Sequence, residues 1–279
     1  MSVLVTGSRG YIGSNLCNLM SKYEMDFIEF DKEIGDDILD FNGLKAKAKK
    51  TDVIVHLAGM VGLAVCKDNP KLSFDINVKG TENVISCGKP IIFAGVLAGY
   101  DVSGIVDETT PVVAKSEYYV EKKLAEDFVL RDNHSVVLRF GSLYGVSPKM
   151  RWDLLVHNLI IEAVKNGEIN VFQPDVIRPV SNINDVCNAI MVFAHNYEYI
   201  KHNSGIYNIV SMNVTKRNIA KCIHDVTGCE VKIVDKVDPE GRNYTVSTEK
   251  IRKLDFKFFP NFVDSVKEVV EKARIDLID

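Results

Sequence analysis

Three glycines near the amino terminus, each separated by two residues, constrain most strongly what this chain folds into. Gly7, Gly10 and Gly13 follow the apolar run 2–6, and apolar residues then recur at helical spacing. A strand, a glycine turn and a helix form a cradle for nucleotide phosphate. The helix N-terminus offers unpaired N–H groups, and glycines let the backbone approach the ligand. A tight turn without a ligand stays open as the alternative.

An acidic residue follows the second predicted strand, 26–30, about twenty residues beyond the glycine turn. Asp31 at this place accepts hydrogen bonds from both ribose hydroxyls of an adenosine and repels a 2′-phosphate, which favours NAD over NADP. Arg9 inside the turn argues weakly for NADP. A strand-end turn former is the other interpretation of Asp31.

Strand and helix patterns alternate through the first half of the chain. This alternation predicts an α/β fold with a Rossmann-type, doubly wound parallel sheet. A cofactor domain is expected over 1–146, with a smaller substrate-binding lobe over 147–279 and parts of 178–210 returning to the first domain. The predicted strands and helices lie at 37–40, 52–59, 74–87, 90–93, 116–130, 135–140 and 152–165.

Composition and charge exclude several classes of protein. The 279 residues are 46% hydrophobic and 26% charged with a net charge of −4, which gives no reason to expect nucleic acid or an acidic membrane as partner. No apolar stretch is long enough to span a bilayer. The six cysteines and six histidines show no metal spacing, so we expect no metal, free thiols and a cytoplasmic location. His56 is interpreted as a core histidine rather than a catalyst.

A tyrosine and a lysine one helical turn apart lie on the predicted helix 116–130. The cation favours the phenolate, so Tyr118 beside Lys122 is suited to take a proton from a sugar hydroxyl while hydride leaves for a nicotinamide. The same spacing recurs at Tyr119/Lys123 and at Tyr197/Lys201. What favours Tyr118 is its position on a helix between two sheet strands, in a chain that opens with a phosphate turn.

These motifs together resemble the extended short-chain dehydrogenase/reductase family, which contains the NAD-dependent nucleotide-sugar epimerases and dehydratases. The similar segments are T-G-x-x-G-x-x-G at 6–13, H-L-A-G at 56–59, N-V-K-G-T at 77–81, S-x-Y-x-x-x-K-x-x-x-E at 116–126, R-F-G-S-L-Y-G at 139–145, R-P-V-S-N-I-N-D-V at 178–186 and R-N-Y at 242–244. Ser116 and Glu126 select Tyr118 over Tyr119.

The resemblance implies roles for individual residues. Tyr118 and Lys122 are the expected catalytic pair, and a homodimer is expected through the helices at 74–87 and 116–130. The expected NAD contacts are Gly7, Arg9, Gly10, Tyr11, Ile12, Gly13, Asp31, Asp37, Ile38, Leu57, Ala58, Gly59, Asn77, Tyr118 and Lys122. The expected contacts to a nucleotide-diphosphate sugar are Val96, Ser142, Arg151, Arg178 and Arg242, because a guanidinium fork binds phosphate oxygens in pairs.

A closer resemblance is to bacterial members that oxidise, or epimerise at, C4 of nucleotide-linked sugars for surface polysaccharide. It depends on the segments 66–72 and 147–156. Arg151 in the second segment either meets a phosphate or pairs with Asp153.

The chain departs from the family pattern in the small loop after residue 93. Val96 stands where the family has a Ser or Thr that bridges the catalytic tyrosine and the sugar. Ala94 and Gly95 replace serines, Asp101 replaces a glycine, and Ser142 replaces an Asn. Loss of one such hydrogen bond costs roughly 10²–10³ in rate. Without this hydroxyl, the chain is a slow enzyme, an enzyme that uses Ser103 or a water molecule in place of the missing hydroxyl, or an enzyme with different chemistry. The alternative is a cofactor-binding regulatory or scaffold protein with little or no catalysis. Dehydration is less favoured because the loop has no acid pair.

Overall fold

The structure is a computed structural model that describes residues 1–97, 100, 104–114, 116–236, 243–259 and 261–277. It divides into two compact units. The first comprises 1–99, 111–139 and 186–207, and the second comprises 100–110, 140–185 and 208–279. Among the described residues, no helix has the length and apolar character that a bilayer span requires.

Thirteen strands lie in the described part of the chain. They are β1 (Val3–Thr6), β2 (Phe27–Phe30), β3 (Val53–His56), β4 (Ile91–Val96), β5 (Gly104–Val106), β6 (Val136–Phe140), β7 (Ser142–Tyr144), β8 (Glu168–Phe172), β9 (Ile177–Asn182), β10 (Gly205–Ile209), β11 (Met212–Thr215), β12 (Glu230–Val234) and β13 (Tyr244–Val246).

The α-helices of the described residues lie between these strands or after the last of them. They are α1 (Tyr11–Lys22), α2 (Phe41–Ala48), α3 (Leu63–Asp68), α4 (Pro70–Phe74), α5 (Gly80–Ile85), α6 (Glu117–Val129), α7 (Leu155–Asn166), α8 (Ile183–Ala194), α9 (Tyr197–His202), α10 (Lys216–Thr227), α11 (Glu249–Arg252) and α12 (Phe262–Leu277). A π-helical segment, Asp75–Lys79, joins α4 to α5, so the predicted helix 74–87 contains a bulge.

The central sheet has six strands in the order β10-β6-β4-β3-β1-β2. β1 pairs in parallel with both β2 and β3, and β3 pairs in parallel with β4. The strand order therefore reverses at β1, which places a ligand crevice at its carboxyl end. The first unit's core contains Leu4, Ile54, Phe93 and Ala125. The predicted doubly wound sheet is confirmed.

The prediction of a strand at 37–40 is wrong. The segment is a turn in which Asp40 N–H donates to the Asp37 carbonyl at 2.9 Å. The Asp37 side chain accepts from Leu39 N–H, and the Asp40 side chain accepts from Asn42 N–H at the start of α2. Short carboxylates bind the nearby backbone in this way and so compete with a strand ladder.

The second unit contains three small sheets, with strand orders β11-β9-β7, β12-β8 and β13-β5. Its core is built by α7, α10 and α12 and includes Val156, Ile160, Ile219 and Val266. The predicted boundary between the two domains is at residue 146, whereas the first unit gives way to the second after Arg139. Residues 178–185 belong to the second unit, and residues 186–207 belong to the first.

Candidate active site

The glycine turn between β1 and α1 admits no side chain at two positions. Gly7 has a left-handed φ of 72°, and a Cβ there would lie 2.7 Å from the Ala58 backbone nitrogen. A Cβ on Gly13 would lie 2.0 Å from the Gly7 carbonyl oxygen. No side chain caps α1 at Gly10, and such a helix end binds phosphate through its N–H groups. The turn therefore fits the pyrophosphate of a dinucleotide.

The next predicted contacts, Tyr11 and Ile12, form the first turn of α1. Tyr11 is buried, whereas Ile12 is half-buried. The Ile12 carbonyl lies 3.9 Å from the Cys187 sulfur, which anchors this turn to α8.

Asp31 lies at the carboxyl end of β2 and faces the glycine turn. Its carboxylate accepts the backbone N–H of Arg9 at 3.0 Å and that of Glu33 at 2.9 Å. The second bond begins a 3₁₀ turn, so Asp31 also acts as the turn former considered from the sequence. The Arg9 guanidinium makes a two-point ion pair with Glu29. Asp31 therefore lies beside the glycine turn, and Arg9 is engaged by a carboxylate.

Asp37 and Ile38 lie in the turn that follows. Ile38 is buried, and its carbonyl accepts from the Asn83 side chain at 3.0 Å. A Cβ on Gly80 would lie 2.9 Å from Ile38 Cγ2, so the segment packs against α5.

His56, at the end of β3, links the glycine-turn strand to α5. The Thr81 hydroxyl donates to the Asn77 carbonyl at 2.7 Å, so it accepts from His56 Nε2–H at 3.0 Å. His56 Nδ1 then accepts from the Thr6 hydroxyl at 2.8 Å. Burial, assisted by the charge of Lys122, lowers the His56 pKa to about 3. His56 is a neutral core histidine, as the sequence indicated.

The strand-end segment 57–59 is held from two sides. Leu57 N–H donates to the Thr6 carbonyl at 3.1 Å, and Ala58 N–H donates to the Thr6 hydroxyl at 3.3 Å. Asn77, in the π-helical segment, bonds both backbone groups of Met60 at 2.8 and 3.0 Å. A Cβ on Gly59 would lie 3.1 Å from Asn77 Oδ1. These contacts fix the backbone beside β1.

Sequence reasoning missed Glu121, which holds Asn77. The buried Glu121 carboxylate accepts from Asn77 Nδ2 at 2.8 Å and from the Ser73 hydroxyl at 2.5 Å. Glu121 follows Tyr118 by three residues, so its place on the buried face of the predicted helix was the available signal.

The predicted catalytic helix is α6, and Ser116 caps its N-terminus by accepting from Tyr119 N–H. Tyr118, Lys122 and Glu126 are all buried, as their shared helix face requires. Tyr119 and Lys123 are half-buried, and Lys123 pairs with Asp127. In the third Tyr–Lys pair, Lys201 is exposed and forms an ion pair with Glu198. The side chain of Tyr197 lies outside the described part of the chain. Burial therefore separates Tyr118/Lys122 from both other pairs.

Lys122 lies beneath an aromatic ring at the end of the sheet. Its Nζ is 4.0 Å from the centroid of Phe93 on β4. Burial lowers the pKa of Lys122 to about 8, with Glu126 acting in the opposite direction. Glu126 forms a buried two-point ion pair with Arg139 of β6, with N–O distances of 2.9 and 2.5 Å. Lys122 thus loses its charge at a lower pH than an exposed lysine does.

One departure from the family loop, Gly95 in place of a serine, is explained by packing. A Cβ there would lie 2.8 Å from Val137 Cγ1 and 3.1 Å from Arg139 Cγ, so β4 leaves no room for a serine. Val96 is half-buried at the strand end and offers no hydrogen-bonding group. Asp101 and Ser103 lie outside the described residues.

In the second unit, the predicted substrate residues lie on two strands and a loop. Ser142 begins β7 opposite Val180, and Arg178 is buried on β9 opposite Val214. Arg151 forms a two-point pair with Asp153, both distances being 2.6 Å. Arg242 lies outside the described residues.

Sequence reasoning also missed the buried His157 of α7. Gly145 N–H donates to His157 Nε2 at 3.1 Å, so Nδ1–H donates to the Arg151 carbonyl at 2.8 Å. His157 therefore ties Gly145, at the start of the loop, to Arg151 within it. Its spacing of three residues from Ile160, on the buried face of α7, was the available signal.

No cluster of three His, Cys, Asp or Glu side chains suited to a metal ion occurs within the described ranges. The residues that converge in the first unit are those of a dinucleotide turn and a buried Tyr–Lys pair. The sequence model of the NAD dependent epimerase/dehydratase family matches residues 3–210. The chain belongs to this family.

Relatives of this chain differ in their named activities. A putative UDP-glucose 4-epimerase of Methanocaldococcus jannaschii is 25% identical over 197 residues, which cover 60% of this chain and 64% of that protein. A 3-beta-hydroxysteroid dehydrogenase of Mycolicibacterium neoaurum is 26% identical over 197 residues, which cover 61% of this chain and 53% of that protein. The matches span less than two thirds of either relative.

A solved structure shares the fold over nearly its whole length. The UDP-glucuronic acid 4-epimerase of Bacillus cereus, in complex with UDP-glucuronic acid and NAD, has a TM-score of 0.85 and 20% identity and covers 99% of both chains. Membership of an NAD-dependent family confirms NAD as the cofactor. It does not favour the regulatory or scaffold alternative.

Proposed function

We propose that this chain oxidises C4 of a nucleotide-diphosphate sugar and, in the epimerase case, returns the hydride to the other face of the ketone. The observation that carries the proposal is the burial of Tyr118 and Lys122 on one face of α6, in the unit that contains the glycine turn. Bound NAD supplies hydride transfer. The glycine turn would hold its pyrophosphate, and Asp31 would hold the adenosine ribose.

The protein's own residues would move the proton. Tyr118 as phenolate takes the hydroxyl proton of the sugar, and the Lys122 cation stabilises that phenolate. Because the pKa of Lys122 is about 8, this support is present below pH 8 and is lost above it. We therefore expect kcat to fall as the pH rises through 8.

The sugar class is supported by chemistry and by relatives. Arginines suit a diphosphate because their planar fork binds two oxygens, and the buried Arg178 is the candidate in the second unit. Arg151 would have to leave its pair with Asp153 to take the same role. Two of the three relatives described above are named as 4-epimerases of UDP-sugars. The steroid dehydrogenase makes a 3-hydroxysteroid the competing substrate. A role in surface polysaccharide synthesis in the cytoplasm belongs to the same proposal.

The experiment supplies purified protein with NAD and a panel of UDP-, dTDP-, CDP- and GDP-sugars, with a 3-hydroxysteroid as a further arm. NMR of the sugar products detects epimerisation, and the reduced-nicotinamide absorbance detects net oxidation. We expect Tyr118→Phe to reduce turnover about 10²–10⁴-fold, whereas the matched Tyr119→Phe stays within about twofold. Val96→Thr is expected to raise activity by restoring a hydroxyl.

Three outcomes contradict the proposal in different ways. Turnover of the 3-hydroxysteroid and of no sugar would show that the substrate is a steroid and not a nucleotide-diphosphate sugar. Tight NAD binding without turnover of any substrate, unaffected by Tyr118→Phe, supports the cofactor-binding alternative. A fall in activity in Val96→Thr contradicts the placement of Val96 beside the reacting hydroxyl.

The homodimer is also part of the proposal. The two helical segments expected at the interface expose apolar side chains, Phe74 on α4 and Val120 on α6, and exposed apolar side chains favour association. Sedimentation should show a dimer that Val120→Glu weakens. A monomeric wild-type protein contradicts this assembly.

A further inference from the structure

Two carboxylates near the carboxyl end of β2 hold one arginine of the glycine turn. Asp31 accepts the Arg9 backbone N–H at 3.0 Å. Glu29 receives the Arg9 guanidinium in two-point geometry, with Nε–Oε2 at 2.8 Å and Nη2–Oε1 at 2.9 Å. Glu29 and Asp31 are two residues apart along the extended chain, so their side chains point to the same face. The proton and hydride chemistry proposed above does not use Glu29.

The guanidinium of Arg9 is the kind of group that would bind the 2′-phosphate of NADP. A planar fork pairs with two phosphate oxygens, and Arg9 is in the turn that faces Asp31. In this structure the fork is paired with Glu29 instead. Lys47, a second cation near this strand end, is likewise engaged, because its Nζ bonds Asp36 at 2.7 Å and the Glu29 carbonyl at 3.1 Å.

We propose that Glu29 determines the cofactor preference of this site by holding Arg9 in an ion pair. A 2′-phosphate then meets two carboxylates while the neighbouring guanidinium is engaged. Asp31 has the separate role of accepting the ribose hydroxyls. The inference uses NAD binding at the glycine turn and does not depend on the sugar, so it is tested by affinity alone.

The exposure of the pair sets the size of the expected effect. The side chains of Arg9 and Glu29 are 47% and 29% exposed, and partly exposed ion pairs are weak and screened by salt. Removal of the Glu29 charge releases Arg9 and removes one repulsive carboxylate. We expect NADP affinity to rise about three- to tenfold.

The experiment measures dissociation constants of NAD and NADP by titration calorimetry without substrate. The variants are Glu29→Gln, Glu29→Ala, Arg9→Met and the double variant Glu29→Ala/Arg9→Met. Asp26→Asn is the matched control, because it removes an exposed carboxylate next to the opposite end of β2. Both Glu29 variants should bind NADP more tightly, with the larger gain for Glu29→Ala and with NAD affinity within about twofold of wild type.

The double variant separates release of Arg9 from simple loss of repulsion. We expect it to lose most of the gain in NADP affinity, and higher salt should reduce the gain in the single variants. Unchanged NADP affinity in both Glu29 variants overturns the proposal, as does a gain that persists without Arg9.

Arg9→Met alone keeps the proposal testable if the Glu29 variants fold poorly. With Glu29 in place, we expect this substitution to change NADP affinity by less than about twofold, because the guanidinium is already engaged. A large loss of NADP affinity would show that Arg9 binds the phosphate in the wild-type protein. The ion pair with Glu29 would then not keep Arg9 from the phosphate, which contradicts the proposal.

Discussion

The phosphate turn of the first unit is shaped by backbone contacts, whereas the loop that carries Arg151 in the second unit is held by side chains. A Cβ at Gly13 would lie 2.0 Å from a carbonyl oxygen, so the phosphate turn tolerates no substitution there. In the second unit, the loop with Arg151 depends on one imidazole, His157, which bonds Gly145 and the Arg151 carbonyl.

This difference bears on how readily each part can be changed by substitution. A backbone cradle recognises pyrophosphate, which every NAD shares, and leaves little room for change. Side-chain clamps such as His157 and the Arg151–Asp153 pair are exchanged by single substitutions. The second unit is therefore where we expect substrate choice to be set.

Gly13→Ala should have the largest effect on the cofactor turn. The new methyl group clashes with the Gly7 carbonyl, and overpacking against backbone costs about 1–3 kcal/mol or more. We expect NAD affinity to fall about tenfold to a hundredfold, measured by calorimetry. Gly88→Asn is the control, because Gly88 has a φ of 66° and open space around it, which Asn tolerates. If Gly13→Ala binds NAD as tightly as the wild-type protein does, the turn can shift to accommodate the methyl group, which contradicts this prediction.

Glu126→Gln tests whether a side-chain clamp also exists in the first unit. Glu126 and Arg139 are each 4% exposed, so the variant leaves Arg139 charged and buried without its partner. The expected loss is about 3–5 kcal/mol of unfolding free energy, measured by urea denaturation. Asp127→Asn removes the exposed partner of Lys123 and should change stability by less than about 1 kcal/mol. Equal losses in the two variants would contradict the buried-pair explanation.

The acid stability of the first unit should depend on His56. Its pKa is about 3 in the folded protein and about 6.5 in the unfolded chain. Between these values the unfolded state binds more protons, so stability is fully present above pH 6.5 and is lost as the pH falls towards 3. His56→Gln should make the free energy of unfolding less dependent on pH in this window, whereas the exposed His202→Gln should not. An unchanged slope in His56→Gln contradicts the assignment.

His157→Asn should have the smallest effect and should confine it to the second unit. The shorter side chain loses one of its two loop contacts, which costs about 1–2 kcal/mol of stability. We expect a several-fold rise in KM for the sugar with NAD affinity unchanged. His224→Asn is the control, since His224 makes a comparable bond to the Cys229 carbonyl. A matching loss of NAD affinity would remove the distinction between the two units.

Much of the first unit could be predicted because its signals are local. The glycine spacing, the alternation of strands and helices and the one-turn separation of Tyr118 and Lys122 are properties of short segments. The strand expected at 37–40 failed because the carboxylates of Asp37 and Asp40 bind the backbone of a turn. Site roles for Asn77, Arg151 and Arg178 remain predictions.

Reading the amino acids alone was enough to predict the doubly wound sheet, the phosphate turn and the face of α6 that carries the Tyr–Lys pair. The packed chain was needed to show that Glu121 holds Asn77, that Glu29 pairs with Arg9 and that Gly95 leaves no room for a serine beside Val137. The cause of this division is distance along the chain. Backbone geometry follows from neighbouring residues, whereas the partner of a buried or paired side chain is chosen by how separate segments pack.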